Sequence, residues 1–113
     1  MARSDLGLTV FHILIALAGQ DRHGYAIMQD VAARTNGRIK LSPGTLYGAI
    51  RRLLEEGLIV ELNDRPDPEY DNERRRYYRL TDAGYAAARA EAARMKSVLG
   101  QARASGLLPG DVA

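Results

Sequence analysis

The spacing of apolar residues changes at Gly57, and that change limits the possible folds more than any other feature of the chain. Before it, apolar residues recur every three or four positions, as on one face of a helix. After it come two short runs of strand-forming residues, and then helical spacing returns. Three helical segments, two strands and a last helix within 113 residues leave room for one compact domain. With 46% hydrophobic residues a modest core is available, which excludes a disordered tail and a multi-domain enzyme. There is no cysteine, so disulfides, thiolate metal sites and thiol nucleophiles are excluded as well. The lack of cysteine fits a reducing, cytoplasmic setting.

Residues 5 to 18 read as the first helix, with Leu6, Val10, Ile13, Leu14 and Leu17 at helical spacing and Gly19 as the stop. Phe11 and Ile15 make it apolar on nearly all sides, so it is expected to pack against more than its own domain. A turn from Gly19 to Gly24 leads into a second helix, Tyr25 to Thr35, closed by Asn36-Gly37, which tolerate the left-handed cap conformation. Arg38 to Leu41 is an extended link with room for one short strand. Ser42-Pro43 then starts a third helix that runs to Glu56: Ser42 can accept from an orphan N–H, and Pro43 has no N–H to leave unpaired. The strands are Leu58 to Leu62 and Arg76 to Leu80, separated by a polar loop, 63 to 75, with Pro66 and Pro68. Thr81 caps a final helix from Asp82 to Ala104, whose acidic first turn suits the helix dipole. Residues 106–113 read as a flexible tail.

Arg3 followed by the apolar stretch to Leu17, with Ala16-Leu17-Ala18 behind it, has some likeness to a secretory signal. Asp5 and His12 interrupt that pattern, and cleavage would remove the most hydrophobic segment of a small domain. The stretch is therefore expected to stay as a buried helix, and it is too short to span a bilayer. No membrane partner is expected.

The resulting fold class is mainly α with a small β-hairpin: a winged helix-turn-helix over residues 1–80 and a C-terminal dimerisation helix over 81–105. The opening turn of the third helix is the most informative segment. Ser42, Gly44, Thr45, Tyr47 and Gly48 are small or hydrogen-bonding, as a helix entering a major groove requires, because bulk would hold it away from base edges. Arg51 and Arg52 follow one turn later, in reach of flanking phosphates. An ordinary capped surface helix would carry much the same pattern. The net charge of +2 is too small to identify a nucleic-acid partner by itself. The scarcity of lysine, with only Lys40 and Lys96 among 16 basic residues, fits genomic base composition rather than function.

Three blocks, Leu41-Ser-Pro-Gly-Thr-Leu-Tyr47, Leu53-Leu-Glu-Glu-Gly-Leu-Ile59 and Arg74-Arg-Arg-Tyr-Tyr-Arg-Leu-Thr-Asp-Ala-Gly84, together with His23-Gly-Tyr25, resemble the PadR-like family of transcriptional regulators. The resemblance implies a dimeric winged-helix protein that binds double-stranded DNA, usually a repressor, with the last helix as the dimerisation element. A single such helix places the chain with the short form of the family. Gly48 stands where the family pattern commonly has proline, and the wing is longer and more acidic than many.

Arg74, Arg75 and Arg76 sit near the base of the wing, where arginines can reach phosphates or a narrow minor groove. In a strand Arg74 and Arg76 share a face and Arg75 points the other way. Asp64, Asp67, Glu69, Asp71 and Glu73 in the same loop can neutralise them, and their spacing is not that of an EF-hand. The candidate DNA-contacting set is completed by Tyr25 and Lys40. The apolar surplus at Leu6, Phe11, Ile15, Met95, Val98 and Leu99 is the expected seam of a homodimer, whose cavity is also the place for a small-molecule effector. His12 and His23 are read as packed or capping, Tyr78 as core. No metal, no cofactor and no catalytic constellation is expected. The other class of function open to the same fold is a winged-helix module that holds a protein partner. The operator sequence, the regulated genes and the effector leave no trace in the residues.

Overall fold

A computed structural model of the protein describes residues 6–62 and 76–109. The elements run α1 (Leu8–Leu17), β1 (Arg22–His23), α2 (Gly24–Arg34), α3 (Pro43–Glu55), β2 (Ile59–Leu62), β3 (Tyr77–Leu80) and α4 (Asp82–Ala104). The expected order of helices and hairpin is present, with one addition. The turn before α2 contains a two-residue strand, so the sheet has three antiparallel strands in the order β1-β3-β2. The extended link 38 to 41 is not a strand.

Each boundary has a local cause. Ser42 Oγ accepts from Thr45 N at 3.1 Å, capping α3, and Thr81 Oγ1 accepts from Gly84 N at 3.0 Å, capping α4. α2 is capped by His23, whose Nδ1 accepts from Ala26 N at 3.1 Å. Asn36 and Gly37, both at positive φ, close α2, and Gly37 N–H donates back to Ala32 O at 2.8 Å. The tail begins as structure rather than coil: Gly106, at φ 76, lets Leu107 N–H donate to Ala102 O at 3.0 Å, which terminates α4.

The core takes one face from each of the first three helices and two strands: Ile13, Leu14 and Leu17 of α1, Ile27 and Val31 of α2, Leu46, Ile50 and Leu53 of α3, Ile59 of β2, and Tyr78 and Leu80 of β3. α3 and β2 join through Gly57, at φ 74, where Leu58 N–H donates to Leu53 O. In the sheet Val60 faces Arg79 and Glu61 faces Tyr78. β1 is held against β3 partly from outside the ladder: Arg79 donates to both carboxylate oxygens of Asp21, at 3.0 and 2.8 Å.

α4 leaves the sheet where a side chain at Gly84 would collide with Leu58 O, so its first turn lies directly on the backbone before β2. Along one face of α4, burial fades toward the C-terminus: Gly84 and Glu91 are buried, Met95 is half-buried and Val98 is exposed. α4 has 23 residues and α1 only 10, and near its C-terminal end Val98 and Leu99 are about half exposed. The radius of gyration, 16.2 Å, exceeds the roughly 13 Å of a compact domain of this length.

Candidate nucleic-acid interface

The opening turn of α3 is built as a narrow, polar tip. Ser42, Gly44, Thr45 and Gly48 are all exposed, and Ser42 Oγ also donates to Thr45 Oγ1 at 3.0 Å. Gly44 and Gly48 lie one turn apart, and a Cβ at either would meet no atom within 4 Å. Among the described residues nothing crowds these positions, so glycine is not required there for space. The bare backbone leaves a surface that another molecule can approach closely, while hydroxyls beside it remain available for hydrogen bonds.

Tyr47, grouped with these residues by sequence, sits differently. It is half-buried, packs on the core and lies over Gly24 at the start of α2. It therefore sets the angle between α2 and α3. Arg51 is exposed on the next turn, and Arg52 spends part of its charge on Glu56, with Nε 3.3 Å from Oε2. Tyr25, in the first turn of α2, is 52% exposed, and Lys40, between α2 and α3, is exposed. Arg76 lines a cleft of about 130 Å³ between α3 and the sheet, together with Arg51 and Glu61. Arg74 and Arg75, the loop acids Asp64, Asp67, Glu69, Asp71 and Glu73, and tail residues 110–113 lie outside the described residues.

The expected seam residues divide. Val98 and Leu99 are 51% and 53% exposed, and Ile15 is 37% exposed. Met95 is half-buried, and Leu6 packs against the chain's own core. Phe11, at 9% exposure, is largely covered within the single chain. Leu8, 54% exposed and two turns from Ile15 on one face of α1, holds the outward position instead. On a helix apolar all round, periodicity cannot tell the inward side from the outward one.

Two ionisable groups with displaced pKa values brace this framework. Arg94 hydrogen-bonds the buried Glu91 carboxylate and, with the Leu6 N–H, holds its pKa below the ordinary value despite burial. Partial burial, and then the nearby Arg34 guanidinium, push His12 below its ordinary value. Arg34 Nη1 lies 3.1 Å from His12 Nδ1, and Arg34 Nη2 donates to the His12 carbonyl at 2.9 Å.

This arrangement has counterparts among known proteins. Residues 13–90 match the transcriptional regulator PadR-like family. The transcriptional regulator Rv3488 of Mycobacterium tuberculosis is 37% identical over 76 residues, covering 67% of this chain and 64% of that protein. A PadR family transcription regulator from Clostridium difficile superposes with a TM-score of 0.70 at 24% identity, over 86% of this chain and 96% of that one. Bacillus subtilis PadR, solved in complex with operator DNA, gives 0.60 at 21% identity, over 73% and 45%. The chain belongs to the PadR-like family of transcriptional regulators and has its winged-helix fold. Among the described residues no helix is long and apolar enough to cross a membrane.

Proposed function

We propose that the protein binds double-stranded DNA as a homodimer and represses transcription from an operator with two-fold symmetry. The observation that carries this reading is the bare tip of α3. Gly44 and Gly48 face open space beside the Ser42 and Thr45 hydroxyls, with Arg51 one turn along. A major groove of about 12 Å admits a helix, and small leading residues let its backbone come close while the hydroxyls meet base edges and phosphates. The operator complex of Bacillus subtilis PadR, a protein of the same fold, supports DNA as the partner.

Dimerisation is supported by the apolar side chains left over on α1 and α4, namely Leu8, Ile15, Val98 and Leu99. Pairing through a two-fold axis covers both surpluses at once, and it presents two α3 helices to successive major grooves, about 34 Å apart. An effector seated in that seam acts, in this reading, by favouring one spacing of the two helices over another. The test is footprinting on DNA flanking the protein's own gene. Two protected half-sites one helical turn apart are the expected outcome. Capture of a protein partner with no protected DNA would favour the interaction-module reading instead.

A further inference from the structure

Glu61 is placed where an acidic residue opposes DNA binding. It lies on β2 directly opposite Tyr78 of β3, and Arg76 immediately precedes β3, two residues before Tyr78. Residues directly opposite in a ladder share a face, so Glu61 and Tyr78 belong to one side of the sheet, and Arg76, just before β3, reaches the same cleft. That side meets α3: the cleft there is lined by Arg51 from α3, Arg76 from just before β3 and Glu61 from β2, together with Tyr78. Glu61 Oε1 stands 3.7 Å from Arg76 Nη1, with the two side chains 29% and 49% exposed.

Two guanidiniums from different parts of the chain at one cleft make a seat for a phosphate, and a carboxylate paired with one of them, Arg76, offsets one unit of that charge. On these observations we infer that Glu61 is a built-in competitor of the DNA backbone for Arg76, at the cleft that Arg51 also lines. It holds Arg76 over the cleft when DNA is absent and lowers sequence-independent affinity when DNA is present. This inference rests on the DNA-binding reading above and concerns regulation of the same surface. The competition is electrostatic, so it weakens with ionic strength, and it acts on phosphates, so it affects all sequences alike.

The test is fluorescence anisotropy with operator and scrambled duplexes at several salt concentrations, for the wild type, Glu61→Gln, Arg76→Ala and the double variant. Glu61→Gln keeps the side-chain shape and removes the charge. It should tighten both duplexes by about threefold to tenfold at low salt. It should also steepen the log–log salt slope by up to about one per protomer. In the Arg76→Ala background most of that gain should disappear. An unchanged or weakened affinity in Glu61→Gln, with wild-type operator binding intact, overturns the inference and leaves the DNA-binding reading standing. If the wild type binds neither duplex, both fall together. Thermal melting of each variant checks that the fold is kept.

Discussion

The Tyr47 ring lies over Gly24 so closely that a methyl group on that glycine would collide with the phenol oxygen and stand 2.9 Å from Cζ. Gly24 has an ordinary helical backbone, so the requirement is for space and not for conformation. This contact fixes how α3 leans on α2, and therefore where Thr45 and the bare glycines point.

From it follows a prediction about stability. Gly24→Ala should cost about 1–3 kcal/mol through overpacking and should weaken operator binding in the same samples. Tyr47→Phe keeps the ring against Gly24 and should retain discrimination between operator and scrambled DNA. Chemical denaturation with parallel anisotropy titrations checks both. A Tyr47→Phe protein that folds normally but no longer discriminates would return the phenol to the role of a base contact.

Thr45 and Arg51 should separate specificity from affinity. Thr45→Ala removes an exposed hydroxyl from the leading turn and should cost about 1–3 kcal/mol on the operator, with little loss on scrambled DNA. Arg51→Ala should weaken both duplexes and reduce the salt slope by about one. The measurement is affinity against salt for each protein on each duplex.

The dimer should depend on the end of α4. Val98→Glu combined with Leu99→Glu places two charges on side chains that the chain leaves about half exposed. The wild type should sediment as a dimer and the double variant as a folded monomer, because neither residue contributes to the monomer's core. Phe11→Ala should instead lower stability by about 2–4 kcal/mol, since its ring is buried within one chain.

Acid should weaken two contacts, that of Glu91 on α4 with Arg94 and Leu6 and that of His12 on α1 with Arg34 on α2. The folded-state pKa of Glu91 lies below its ordinary value of 4.5. The carboxylate therefore stabilises the fold fully above that value, and the contribution is lost as pH falls from about there through the lower folded-state pKa. His12, displaced below 6.5, works in the same direction over a higher range: the fold favours the neutral ring, so stability declines as pH drops below 6.5. Melting temperature against pH should show both declines. Glu91→Gln should flatten the lower one and His12→Gln the upper one.

The elements and caps were legible because their causes are local. Ser42-Pro43, Thr81-Asp82 and Asn36-Gly37 each carry their hydrogen-bonding or conformational reason within a few residues. β1 was not legible, because Arg22 and His23 are strand only by pairing with Tyr78 and Tyr77, more than fifty positions away. The inward turn of Phe11 and the outward one of Leu8 were hidden by a helix apolar on all sides. Gly24 and Tyr47 meet only once α2 and α3 are packed. Glu61 read as one polar position in a strand, and only register brings it to Arg76.

The measurement that bears most directly on the central claim is the salt dependence of binding to DNA from beside the protein's own gene, against a scrambled duplex. The prediction is tighter binding to the first at every salt concentration, a steep negative log–log slope for both, and a stoichiometry of two chains per duplex. Equal affinity for the two duplexes, or a slope near zero, would contradict the assignment of α3 as a helix that reads DNA.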